Sequence, residues 1–136
     1  MIRKRVPDKF KARSMISAAE VELPYIMTIK PTKESASTIV RGIYEAFRML
    51  GDALLAVRGK EARGMDHHTE MIKELLTLSV ATKRPPQVLL TLKDTRNKIN
   101  YKGYLPSVEE AIDARDIAES CFNPLLMRIK EEIEKL

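Results

Sequence analysis

The sequence predicts an all-α protein, an up-and-down bundle of four to five antiparallel helices, and three observations carry that reading. Apolar residues recur three and four positions apart over long stretches, which is the period of a helix with one buried face. The composition agrees, with hydrophobic residues at 44%, charged residues at 32% and only 5 glycines among 136 residues. The connections between periodic stretches are short and carry proline, glycine or a capping residue. A chain of this length is expected to form a single helical domain, residues 1–136, with one core. Within it, 1–33 read as a basic N-terminal segment with a first, kinked helix, and 34–136 as the helical body.

The first fifteen residues are charged and include Pro7, which suits a helix start. Phe10, Met15, Ile16, Ala19 and Leu23 then keep a broken helical spacing up to Pro24. The segment Tyr25 to Ile29 is β-favouring between two prolines, so an extended stretch and a continued, kinked helix both fit, and the kinked helix is the reading preferred. Thr32 or Ser35 can cap the second helix, whose stripe is Ile39, Ile43, Phe47, Leu50, Leu54 and Val57. Gly42 and Gly51 would each cost close to 1 kcal/mol in a helix interior, which points to close helix packing there. Gly59 ends this helix, and Lys60 to Gly64 read as a polar connection. A third helix, capped by Asp66, buries Met71, Ile72, Leu75 and Leu76. Pro85 and Pro86 introduce a fourth, with Val88, Leu89, Leu92 and Ile99 inward. Gly103, Pro106 and a Ser107-Val108-Glu109-Glu110 capping box lead into a last helix that buries Val108, Ala111, Ile112, Ala118, Cys121, Phe122, Leu125, Leu126, Ile129 and Ile133, with a kink or interruption at Pro124. No stretch reads as a convincing sheet.

Charge is placed in blocks. Residues 1–15 hold six Lys and Arg against Asp8, and residues 83–102 hold six against Asp94, while the last thirty residues are acidic. Two basic regions permit nucleic-acid contact, although solvated helix faces look much the same. No apolar run is long enough to span a bilayer and no secretory signal follows the basic N-terminus, so a cytoplasmic protein without membrane contact is expected. The single cysteine, Cys121, reads as a small core filler. Gly-rich phosphate loops, paired-cysteine metal motifs and the Gly-x-Ser-x-Gly elbow are missing from the sequence, so most enzyme classes have no support. His67 and His68 point about 100° apart on a helix, not as the i, i+4 pair of a helical metal site, so neither zinc nor any other cofactor is expected.

Uncommon chemistry is concentrated in Asp94 to Tyr104. Arg96 sits at the edge of the apolar stripe of the fourth helix, where a guanidinium needs a carboxylate, a phosphate or a water-filled cleft. If the helix continues to Tyr101, Arg96 and Asn100 share one face and Asn97 and Tyr101 another. Arg96 offers a planar fork for phosphate, Asn97 both donates and accepts, and Tyr101 and Tyr104 can stack on a base or cap the end of the bundle. A salt bridge to a neighbouring helix would explain Arg96 as simply as an anion site would.

Three stretches, in order, resemble the HEPN domains (higher eukaryotes and prokaryotes nucleotide-binding). Ile39 to Leu50 is similar to the family's second long helix, Asp66 to Ile72 to the point where a histidine opens the next, and Leu92 to Tyr101 to the arginine motif, followed by Glu109-Glu110-Ala111 opening a long final helix. In active members, which are metal-independent ribonucleases, an Arg and a His four to six residues later line a cleft at a dimer interface. Arg96 and Asn97 match the first half, but positions 101–103 hold Tyr101, Lys102 and Gly103, so the usual proton-transfer group is missing. The resemblance therefore implies a homodimer that binds RNA or a nucleotide through Arg96, Asn97, Asn100, Tyr101, Lys102, Tyr104 and His68, with no confident catalytic residue. The type it implies is a toxin-antitoxin or nucleotidyltransferase-associated protein, with two alternatives: a protein-interaction or substrate-binding subunit of a small nucleotidyltransferase, and an active metal-independent ribonuclease using His68 or Tyr101.

Overall fold

The computed structural model describes residues 2–64 and 67–136. Five helices dominate it: α1 (Lys9–Met27), α2 (Ala36–Val57), α3 (His67–Leu76), α4 (Val88–Lys102) and α5 (Val108–Glu134). The all-α bundle expected from the periodicity is the architecture found. One feature is added to it, a two-stranded antiparallel ribbon of β1 (Ile2–Lys4) and β2 (Lys60–Ala62), with Ile2 opposite Ala62 and Lys4 opposite Lys60. Residues 60–62 are thus a short strand and not merely a polar connection.

Helix ends follow the capping residues. Asp8 accepts from the Lys11 amide at 2.9 Å and opens α1, which runs through Pro24 as one helix. Thr32 and Ser35 act together, because each side-chain oxygen accepts from the other's backbone N–H, at 3.1 and 2.9 Å, one turn ahead of α2. Ser107 and Glu110 form the same reciprocal box at the start of α5, and α5 continues unbroken through Pro124. Gly103 closes α4 in the left-handed region at φ 64°, a backbone conformation that penalises a residue with a Cβ. The Asp66 cap expected for α3 lies outside the described residues.

α2 is the central helix, with fourteen of its 22 residues buried. One hydrophobic cluster draws on all five helices around it. Arg13, Glu20 and Met27 of α1 meet Glu134, Lys130 and Arg115 of α5, so these two helices run antiparallel. Asp8 and Ile26 meet Ala56 and Gly42, so α1 is antiparallel to α2 as well. It follows that α2 and α5 run in the same sense, as the Phe47–Phe122 and Arg58–Glu132 contacts show. The strict alternation of an up-and-down bundle is broken at α3, whose contacts with α2 advance in step: Tyr44 with His68, Gly51 with Met71, Arg58 with Glu74. The chain between α2 and α3 therefore returns along α2 before α3 begins, and this return places His68 beside the first half of α2.

Two apolar residues assigned to the interior are exposed. Phe10 is 83% exposed because it lies about 200° around α1 from Ala12, on the side away from the Ala12–Ile16–Ala19–Leu23 line. Ile112 is 53% exposed because the buried line of α5 passes through Ala111, Ala114 and Ala118, about 100° from it. Gly42 and Gly51 are where helices approach closely: a Cβ on Gly42 would lie 2.5 Å from Ile26 Cδ1, and one on Gly51 2.9 Å from the Met71 carbonyl oxygen.

Candidate functional site

α4 does continue past Tyr101, ending at Lys102, so its polar residues have helical neighbours. Arg96 gathers both i, i+4 pairs. Its Nη1 donates to Asn97 Oδ1 at 3.0 Å. Turned with its oxygen toward the guanidinium, the Asn100 carboxamide accepts from Arg96 Nε and Nη2, each at 3.2 Å. The guanidinium carbon lies 5.9 Å from the centre of the Tyr101 ring, which is 72% exposed, and 5.3 Å from that of Tyr44, which is buried. Among the described residues Arg96 has no carboxylate partner; its contacts are two neutral amides and two aromatic rings. These hold the group in place without neutralising it.

Tyr44 joins this cluster to α3. Its hydroxyl lies 3.0 Å from His68 Nδ1, and the His67 and His68 rings are tilted at 43° with centres 4.1 Å apart. Burial is the main cause that pushes the Tyr44 hydroxyl up to about 12, so it keeps its proton throughout the neutral range. Burial likewise lowers His68 to about 4, helped by the nearby His67, Arg96 and Arg48 charges and opposed by Glu45. At neutral pH His68 is thus an uncharged imidazole, able to donate or accept but carrying no positive charge to an anion.

Beside it, Arg48 is fully occupied. It holds Glu45 through both Nε and Nη2 and Asp52 through Nη1 at 2.6 Å. Lys93, mostly buried, donates to Thr69 Oγ1 at 3.0 Å and ties α4 to the first turn of α3.

Of the residues expected from the sequence, Arg96, Asn97, Asn100 and Tyr101 are brought together on α4, and His68 reaches the same cluster through Tyr44. Lys102 is exposed at the end of α4 and lines, with Asp94, Asn97, Lys98 and Tyr101, an open groove of about 350 Å³. Tyr104 belongs elsewhere: its hydroxyl donates to the Glu110 carboxylate of the α5 capping box, and Lys98 Nζ lies 5.8 Å over its ring. The hydrogen bond to Glu110 raises the Tyr104 hydroxyl above its ordinary value and makes Tyr104 a residue that fastens the α4–α5 turn. Tyr44, beside the apolar stripe of α2, is the member that sequence reasoning missed. Its one distinguishing signal is a polar tip within a run of aliphatic positions, which requires a partner when buried.

No protein-family model, curated protein or solved structure matches this chain.

Proposed function

We propose that this protein is a HEPN-like RNA- or nucleotide-binding protein that works as a homodimer and holds a phosphate at Arg96. The observation that carries the reading is the guanidinium of Arg96, half-buried and fixed by Asn97 and Asn100, yet matched with no carboxylate among the described residues. A cation kept in one geometry by neutral groups is pre-organised for an anion, and among the described residues the salt-bridge explanation of Arg96 has no partner to rest on. The exposed Tyr101 ring beside it provides a face for a base. Lys98 and Lys102 on the groove add attraction for a polyanion.

Binding is favoured over cleavage because the histidine of the resembled motif is replaced at positions 101–103. His68, neutral and bonded to Tyr44, and Tyr101 are the candidates for proton transfer, so a weak ribonuclease activity is the second reading. The toxin-antitoxin association and a nucleotidyltransferase partner rest on the resemblance. The exposed Leu105 and Ile112 provide apolar surface for such a partner near the α4–α5 turn. A nucleotidyltransferase gene adjoining this one would support that pairing, and its absence would remove most of its weight.

The direct test is binding of a short RNA and of a mononucleotide to wild type and Arg96→Ala. Loss of a charged hydrogen bond to phosphate predicts an affinity about ten- to a hundredfold weaker in the variant, with a shallower salt dependence. Equal affinity for both proteins would remove Arg96 from the site, and no binding by wild type at low salt would sink the reading. RNA cleavage by wild type that both Arg96→Ala and His68→Ala abolish would move the ribonuclease reading ahead.

A further inference from the structure

Helix α1 buries Ala12, Ile16, Ala19, Leu23 and Ile26 against α2 and α5. At 100° per residue its opposite side is Phe10, Ser14, Ser17, Val21 and Tyr25. Phe10, Val21 and Tyr25 are 83%, 72% and 67% exposed, and the two serines are exposed as well. A single exposed apolar residue needs no explanation, but large residues at both ends of one helical line with small ones between them form a pattern.

We propose that this outward face of α1 is a self-pairing surface on which a second copy of the chain packs antiparallel. With the two-fold axis between positions 17 and 18, Phe10 meets Tyr25 of the second copy, Ser14 meets Val21 of the second copy, and Ser17 and Ala18 lie at the axis. Large residues then face large ones at the ends, and the small serine receives the valine, as a two-fold interface requires. The charges agree with this arrangement and oppose the parallel one. The first half of α1 is basic, with Lys9, Lys11 and Arg13, and the second half acidic, with Glu20 and Glu22. On one flank of the face the antiparallel pairing sets Lys11 beside Glu22 of the second copy, and on the other Arg13 beside Glu20 of the second copy; parallel pairing would set like against like. Arg13 and Glu20 also hold pairs within the chain, with Glu134 at 3.9 Å and Lys130 at 3.0 Å, but these are exposed and weak.

The surface is separate from the Arg96 cluster. α1 and α4 pack on different sides of α2, where Gly42 meets Ile26 of α1 and Tyr44, about 200° further round, meets Arg96 of α4. The α1 surface is distinct from the arginine-lined dimer cleft that the resemblance implies, and it does not depend on RNA binding. The seam from Phe10 to Tyr25 is only about 24 Å long, so association is concentration-dependent.

The experiment is sedimentation velocity on the full chain from about 1 to about 100 µM. Wild type is expected to pass from monomer to dimer across that range, and Val21→Asp to weaken the dimer at least tenfold at unchanged far-UV circular dichroism. Lys11→Glu and Glu22→Lys should each weaken it, and the double exchange should restore it. Under mild oxidation Ser17→Cys should cross-link to its own copy and Phe10→Cys should not, a comparison that decides the matter even where Val21→Asp folds poorly. A wild-type dimer untouched by Val21→Asp and by the charge exchange would overturn the α1 surface while leaving the homodimer and the Arg96 site standing. A wild type that stays monomeric throughout would overturn both the surface and the homodimer, with RNA binding as a separate measurement.

Discussion

Arg48 and Arg96 both approach Tyr44, and they differ in what their charge has met. Arg48 is bound on two sides by Glu45 and Asp52, whereas among the described residues Arg96 meets only Asn97, Asn100 and two rings. The same neighbourhood sets His68 against the proton. Its folded value, about 4, lies below the ordinary 6.5 of the unfolded chain, so between those values the unfolded state binds more protons than the folded one. The stability His68 contributes is therefore present above pH 6.5 and lost as pH falls toward 4. Chemical denaturation from pH 7 to 4.5 should show wild type losing stability more steeply than His68→Asn. The difference should stay below the one-proton limit of about 1.4 kcal/mol per pH unit, because solvent screens a partly exposed ring. Parallel slopes would show that His68 is not held neutral. At this scale the sequence was readable only within one helix. Arg96, Asn97, Asn100 and Tyr101 are neighbours by helical spacing, but the Tyr44–His68 bond spans 24 positions and exists because the chain returns along α2, which no local pattern encodes.

Among the elements, the helix interiors and caps were legible because apolar period and capping chemistry are local. Strands β1 and β2 were not, since three residues are too few to display an alternation. The direction of α3 and the exposure of Phe10 and Ile112 were hidden for a related reason: periodicity says that a helix has an inner face, not which of its flanking apolar residues finds a neighbour. The glycines of α2 allow a sharper test of packing against propensity. Ala in place of Gly gains up to about 1 kcal/mol in a helix interior, but a Cβ at position 51 would meet the Met71 backbone, which cannot move aside without moving α3. At position 42 the obstacle is the Ile26 side chain, which can change rotamer in part. Thermal denaturation should therefore find Gly51→Ala destabilised by about 1–3 kcal/mol and Gly42→Ala by less. A neutral or stabilising Gly51→Ala would show that α2 and α3 are less closely apposed than the geometry states.

On the scale of the whole molecule, no helix among the described residues is long and apolar enough to cross a membrane, and excess basic charge is concentrated in residues 1–15 and 83–102. The β1–β2 ribbon is fastened to the far end of α2, where Asp8 N–H donates to the Ala56 carbonyl and Arg5 N–H to that of Gly59. Tyr44, and with it Arg96, lies thirteen residues back along α2 from its last residue, about 20 Å away at 1.5 Å per residue. That separation is roughly twice the Debye length at 0.1 M salt, so the ribbon barely alters the field at Arg96, yet a chain of several nucleotides can touch both. Replacing Arg3, Lys4 and Arg5 together by Ser should then leave the affinity for a mononucleotide within about twofold and weaken that for a longer RNA by about tenfold at low salt. The salt slope of the RNA titration should fall while its sensitivity to Arg96→Ala persists, because distant sites contribute independently. Equal losses for both ligands would mean that the ribbon acts by supporting the fold, through Arg5 and Glu61 at 2.6 Å, and not by contacting the nucleic acid.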